Sequence, residues 1–305
     1  MANKTTSHTV EANTWTGKSR GTVLGFKIFV FFIKNFGTKA AYALMHLPIP
    51  YFCFFSRKNV QGLSYYFRKR LGYSWLKSSL SIYKTYYRFG QTLVDKIAIP
   101  IGKKDHYSYE FDGEEHISEM LALGKGGILI SAHVGNFEMA QYFFKKRNFD
   151  TAISIVITDQ DHEDIKAYLE QFTKRDHVNF IVVKEDLSHI FEINAALAKN
   201  RVVCISGDRF LNKTKTLKAE LLGKEALFPI GPFQIATRLQ VPVLFVYVMR
   251  EPKQHYHLYA RKVKIERRDA QDLLNKFAKH LELVVKKYPL QWFNFYDFWD
   301  VQNDN

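Results

Sequence analysis

Cysteine is nearly absent: Cys53 and Cys204 are the only two in 305 residues. Two thiols can build neither a disulfide framework nor a cysteine-rich zinc site, so the sequence reads as that of a protein kept in a reducing compartment. Long uncharged apolar runs are scarce as well. The longest stretch without a charge, Ala40–Ser56, has 17 residues and includes His46, Pro48 and Pro50. A spanning helix needs about 20 mostly apolar residues, and two prolines interrupt this one. The shorter run Ile28–Ile33 is bracketed by Lys27 and Lys34. Basic flanks on both sides assign no orientation, so helices lying in the interface are expected, with a single tilted span around Gly25–Phe55 as the alternative. No small-residue cleavage site follows the apolar run, so no signal peptide is expected. Internal repeats and low-complexity linkers are lacking too.

Acids are missing from the first third. Residues 1–104 hold 17 Lys and Arg against two acids, Glu11 and Asp95, a charge of +15, whereas the remaining 201 residues carry −1. The same third holds 20 of the 47 aromatics, in runs such as Phe29-Val30-Phe31-Phe32 and Tyr51-Phe52-Cys53-Phe54-Phe55. Cations interleaved with large aromatics suit an anionic membrane surface, where Lys and Arg meet lipid phosphates and aromatic rings wedge at headgroup level. A basic solvated surface over an ordinary core is the bland rival. Nucleic-acid binding is a further one, and no nucleic-acid partner is expected.

With 47% hydrophobic side chains the chain can bury one large core, or one core plus an appendage. Residues 1–20 are polar and read as disordered. From Gly21 to Ile97 the pattern is helical, with Gly72-Tyr73-Ser74 separating two helices and Ser74 placed to cap the second. Beyond residue 105 the rhythm changes. Short β-rich runs (Tyr107–Phe111, Ile128–Ala132, Ala152–Ile157, Asn179–Val183, Val202–Ser206, Val241–Val248) alternate with helix-length segments (Glu114–Leu123, Phe137–Lys146, Glu163–Lys174, Leu187–Ala198, Pro232–Leu239). That alternation predicts an α/β domain over 105–305, its mostly parallel sheet flanked by helices. Lys218–Phe228 reads as an inserted hairpin centred on Gly223-Lys224. Two further strands are expected around Gln254-His255, and a closing helix over Ala270–Lys287.

Ligands of parallel α/β sheets bind beyond the carboxyl ends of the strands, and three such ends carry suitable residues. In Ile130-Ser131-Ala132-His133-Val134-Gly135-Asn136-Phe137-Glu138 an apolar strand ends at a histidine, a glycine turn follows, and an acid opens the next helix. His133 as general base with Glu138 as its orienting carboxylate would be a workable pair, and Gly135 permits a tight turn that leaves room for substrate. Spacing alone is uninformative: 11 histidines and 30 acids give about one His-x4-acid by chance, and there is one. Its context is the signal, with a buried structural histidine as the rival. In Ser206-Gly207-Asp208-Arg209-Phe210 the Arg209 fork could grip a phosphate or carboxylate, or simply pair with Asp208. Leu227-Phe228-Pro229-Ile230-Gly231-Pro232 opens a helix with Pro232 suited to its first position. Its backbone N–H groups could cradle an anion or an oxyanion, unless it is only a well-made helix start.

In this order the three segments resemble the lysophospholipid acyltransferase superfamily, whose members carry a His-x4-Asp/Glu pair, a Gly-x-Asp-Arg-like segment, a Phe-Pro-x-Gly-like segment and a Val-Pro strand. The counterparts are His133/Glu138, Gly207-Asp208-Arg209, Phe228-Pro229-Ile230-Gly231 and Val241-Pro242-Val243. Within that superfamily the histidine motif looks most like the late lipid A acyltransferases (lauroyl and myristoyl transferases), whose motif reads His-aromatic-Gly-Asn-Trp-Glu. Val134 and Phe137 depart from it. The ending Tyr288-Pro289-Leu290-Gln291-Trp292-Phe293 resembles the family's closing Pro-x-Gln-aromatic segment, and the likeness spans about 15–300.

The resemblance implies a glycerolipid-acyltransferase-like fold and an O-acyltransferase. His133 would deprotonate a hydroxyl of a lipid acceptor, foremost a lipid A precursor, which attacks an acyl thioester on acyl carrier protein. Glu138 would orient the imidazole. The substrate-binding set would be Asn136 at the oxyanion, Gly135, Asp208, Arg209 at acceptor phosphate, Phe228 and Gly231. No cofactor, metal or acyl-enzyme is required. The expected location is the cytoplasmic face of a bacterial inner membrane, held peripherally or by one N-terminal anchor, with 21–104 as the membrane-binding region. The basic third could also steer an acidic carrier protein. A glycerolipid or amino-lipid acceptor is the competing enzyme reading, and a non-catalytic peripheral membrane protein the competing class.

Overall fold

The structure, a computed structural model, describes residues 23–103, 106–146, 149, 152–158, 178–184, 186–210 and 214–299. The helix expected over Glu163–Lys174 and the polar residues 1–20 lie outside them.

Among the described residues, four α-helices precede the sheet. α1 (Val23–Leu44) is broken at Gly37, whose φ of +81° interrupts the helical path. α2 (Pro48–Phe55) opens on Pro48, a residue that starts helices well and continues them badly. α3 (Arg57–Tyr65) runs into a π-turn, Tyr66–Arg70. α4 (Trp75–Ala98) starts at Ser74, whose hydroxyl accepts from the Lys77 N–H, as the sequence suggested. Leu24–Phe55 is long and apolar enough, by length and composition alone, to cross a membrane; the breaks at Gly37 and before Pro48 divide it. Among the described residues, 11 of the 17 exposed large hydrophobics belong to this helical region, including Leu47, Phe54, Phe55 and Leu76, each at least 70% exposed. Some of them adjoin, Phe31 with Phe36 and Tyr51 with Phe55, and adjoining exposed apolar groups mark interaction surfaces.

The α/β part contains β1 (Ser108–Asp112), α5 (Glu114–Ala122), β2 (Gly127–Ser131), α6 (Ala140–Lys146), β3 (Ile153–Thr158), β4 (Val178–Val183), α7 (His189–Ala198), β5 (Val202–Ser206), β6 (Thr216–Leu221), β7 (Lys224–Pro229), α8 (Ile230–Leu239), β8 (Val243–Glu251), β9 (His255–Lys262) and α9 (Ala270–Lys287). Seven strands form one sheet in the order β1-β9-β8-β2-β5-β3-β4. Every pairing is parallel except β8 with β9. β2 and β5 sit at its centre and read as unbroken apolar runs because both faces are covered. Alternation divides them. Ile128, Ile130, Val203 and Ile205 pack into the main core with Phe233 of α8 and Phe277 of α9. Leu129 and Cys204 face Ile117 of α5 and Phe144 of α6 on the other side. β6 and β7 form the expected hairpin, turning through Leu222 and Gly223, both at positive φ as a primed two-residue turn requires.

One buried cluster joins the helical region to the sheet. Asp95 of α4 is fully buried and accepts from Tyr107 at 2.9 Å, from Arg250 Nε of β8 at 2.9 Å, and from Tyr42 of α1 and Tyr256 of β9. Three phenols and a guanidinium satisfy a carboxylate that would otherwise be very costly to bury.

Candidate active site

Strand register assembles the site. β2 and β5 are parallel neighbours with Ser131 level with Ser206. Two residues further along each chain stand His133 and Asp208, side by side past the carboxyl edge. His133 Nδ1 lies 2.7 Å from Asp208 Oδ1, and the His133 backbone N–H donates to both Asp208 oxygens at 3.0 and 3.1 Å. Trp292 Nε1 donates to Oδ2 at 3.3 Å. Asp208 is fully buried and the His133 side chain about one-third exposed.

The electrostatics set the protonation states. Burial alone would raise the Asp208 pKa. The His133 ring, its N–H and the Arg209 charge outweigh that and hold the carboxyl below its usual range. Burial and then the Arg209 charge lower the His133 pKa, outweighing the pull of Asp208 the other way. An ionised carboxylate can only accept, so Nδ1 carries the proton and Nε2 the lone pair. A neutral, oriented imidazole at a strand end is what general-base chemistry needs.

The carboxylate that meets the imidazole is therefore Asp208 and not Glu138. Glu138 stands on a short 3₁₀ turn, Phe137–Met139, about half exposed, and pairs with Lys96 Nζ of α4 at 2.7 Å. Five residues of chain direct it to the α4 side, whereas the register brings Asp208 directly alongside. Gly135 has φ +65°, and a Cβ there would overlap the Val248 carbonyl oxygen, so the turn needs glycine.

Asn136 is placed inward. It is 2% exposed, and its amide donates to the Thr92 carbonyl at 3.2 Å and to Tyr256 Oη at 3.3 Å. That commitment removes it from the oxyanion position expected of it and ties the histidine loop to the Asp95 cluster. Arg209 is committed likewise: Nε donates to Asn294 Oδ1 at 2.9 Å and Nη2 to the Phe293 carbonyl. It secures the closing segment instead of presenting a clamp for phosphate. Phe228 is fully buried, edge-on to Phe277 and Phe298, and belongs to the core. Gly231 lies in the first turn of α8 facing open space. The helix starts at Ile230, so Pro232 is its third residue and not its first.

The closing segment is also part of the site. Gln291 bonds both ways with Arg250, accepting from its N–H at 2.9 Å and donating to its carbonyl at 2.8 Å. Its own carbonyl accepts from the Gly135 N–H at 2.8 Å, and the Phe293 N–H donates to the His133 carbonyl at 2.9 Å. Residues 291–293 thus lie as a short antiparallel ribbon along 133–135, with Val134 bridging Trp292. Beside Glu138, a small apolar cavity between the sheet and α6 is lined by Leu129, Phe137, Phe144, Ile155 and Cys204. Among the described residues, no three His, Cys, Asp or Glu side chains are grouped to ligate a metal ion.

The sequence pattern of the bacterial lipid A biosynthesis acyltransferases matches residues 79–300, nearly three quarters of the chain. A phosphatidylinositol mannoside acyltransferase of Mycobacterium tuberculosis is 26% identical over 137 residues, 43% of this chain. The match spans only 41% of that relative's length. Family pattern, mostly parallel sheet and strand-end histidine agree: the chain belongs to the bacterial lipid A biosynthesis acyltransferase family.

Proposed function

We propose that this protein is a lipid O-acyltransferase in which His133 is the general base and Asp208 its orienting partner. The observation that carries the reading is the imidazole at the carboxyl edge of β2, Nδ1 held by a buried ionised carboxylate. His133 Nε2 takes the proton of an acceptor hydroxyl. The oxygen attacks the carbonyl carbon of an acyl thioester, and as the tetrahedral intermediate collapses the C–S bond breaks. The departing sulfur takes the proton back from the imidazolium, leaving an ester and a thiol. Asp208 stabilises the imidazolium that forms in between. Glu138, exposed and paired with Lys96, takes no part in the proton transfer.

The acceptor we favour is a lipid A precursor and the donor an acyl carrier protein thioester. Family membership supports the acceptor, and the +15 charge of residues 1–104 supports an acidic donor. The partial likeness to a phosphatidylinositol mannoside acyltransferase makes a glycosylated phospholipid the second acceptor to try. The exposed apolar patch of α1, α2 and the start of α4, among cations, supports residues 21–104 as a region that docks on the cytoplasmic face of the inner membrane. Purified protein given acyl carrier protein thioesters and each acceptor in turn should release thiol and form an ester with one of them. No ester with any lipid hydroxyl, from folded protein on vesicles, would refute the reading.

A further inference from the structure

The π-turn after α3 ends in a cation, Arg70. Wide turns of this kind recur at functional positions. The Arg70 guanidinium lies 5.5 Å from the Tyr65 ring centroid and 6.0 Å from that of Trp299. Its Nε is buried and has no hydrogen-bond partner. A second cation reaches the same ring from the β6–β7 hairpin: Lys224 Nζ is 5.3 Å from the Tyr65 centroid and donates to its hydroxyl at 3.1 Å. Among the described residues, no carboxylate lies within ion-pair distance of Arg70 or Lys224.

Ring faces attract a guanidinium but offer its in-plane N–H groups no acceptor, and the buried Nε–H, left without one, is costly. Each cation lies within 5.5 Å of the same ring centroid, so a single anion beside Tyr65 can meet both. A guanidinium fork and a flexible ammonium together match phosphate. Two cations match a monoester, which carries close to two negative charges at neutral pH, better than a diester with one. Arg68 and Lys69 precede Arg70, and the exposed Trp75 and Leu76 open the helix beyond it.

We propose that Arg70, Lys224 and Tyr65 form a binding site for a phosphate monoester presented by a membrane lipid. The proposal rests on membrane docking of the helical region and not on acyl-transfer chemistry. It is tested by sedimenting the full chain with phosphatidylcholine vesicles doped with phosphatidic acid or, at matched surface charge, with phosphatidylglycerol. The monoester vesicles should bind about tenfold better, the return on one or two charge-assisted hydrogen bonds. Arg70→Gln and the exposed Lys224→Gln should each erase that preference while leaving the binding common to both vesicles, and Arg70→Lys should restore part of it. Equal binding of both vesicles by the wild type, or a preference untouched by both substitutions, overturns the proposal. Calorimetric binding of inorganic phosphate that Arg70→Gln abolishes, without any vesicle preference, assigns the site to soluble phosphate and overturns the lipid assignment. Thioester turnover is followed in parallel, so loss of turnover with the preference intact counts against the transferase reading alone.

Discussion

Asp208→Asn changes one atom and should cost most of the activity. Three donors converge on the carboxylate: His133 Nδ1–H at 2.7 Å, the His133 backbone N–H at 3.0 and 3.1 Å, and Trp292 Nε1–H at 3.3 Å. Two anionic oxygens receive all three. An asparagine keeps one accepting oxygen and brings an NH₂ that must face a donor. The main-chain N–H and the indole cannot change their protonation. The imidazole can, so the amide donates to Nδ1 and the ring proton moves to Nε2. The lone pair that should receive the acceptor's proton is then gone. Wrong-tautomer substitutions of this kind cost about 10⁴-fold in rate, roughly 5 kcal/mol of barrier. The assay is thiol release from an acyl thioester with saturating acceptor, on protein shown by circular dichroism to be folded. Glu138→Gln is the comparison: its carboxylate pairs with Lys96, so its loss should be at least tenfold smaller. A turnover within tenfold of wild type for Asp208→Asn, or a larger loss for Glu138→Gln, would refute the assignment.

Four further outcomes are expected. His133→Ala should remove turnover by about 10²–10⁴-fold without unfolding the chain, as the loss of a general base does. Burial and the Arg209 charge lower the His133 pKa, so the base form persists to more acid pH and the acid limb of kcat/KM should fall below about 6.5; Arg209→Met should move that limb upward, and an unchanged limb would separate the two groups. Asp95→Ala leaves Arg250 buried without its counter-charge and should destabilise the fold by about 3–5 kcal/mol in denaturant unfolding. Phe54→Ser with Phe55→Ser removes two exposed rings, each worth about 1.5–3 kcal/mol if inserted, so vesicle sedimentation should weaken at least tenfold; undiminished binding would place the membrane contact elsewhere.

What could be read in the sequence was whatever rests on local pattern. The apolar runs of β2 and β5, the Gly223 hairpin and the extent of α9 all follow from periodicity and turn chemistry, and each is found where expected. The strand-end histidine was legible because His133 follows an unbroken apolar run. Its partner was not. Asp208 is 75 residues away, and only the register of two parallel strands places it there, so the nearer acid, Glu138, looked the better candidate. Asn136 and Arg209 misled in the same way. Their side chains have the right chemistry for substrate, but the folded chain uses that chemistry internally, on Thr92, Tyr256, Asn294 and the Phe293 carbonyl. A sequence shows which groups can bond, while long-range packing decides which of them remain available.

The ribbon of residues 291–293 along 133–135 has a consequence for biosynthesis. The histidine turn is synthesised well before the stretch that fixes it, residues 291–293. Until Trp292 and the Phe293 N–H are made, Asp208 and the His133 carbonyl lack those two donors. Until residue 291 is made, a nascent chain therefore carries His133 without the ribbon that holds its turn. An arrested chain ending before Tyr288 should associate with vesicles yet leave thioester intact, whereas turnover by that chain would mean that the ribbon supports the fold and not the base.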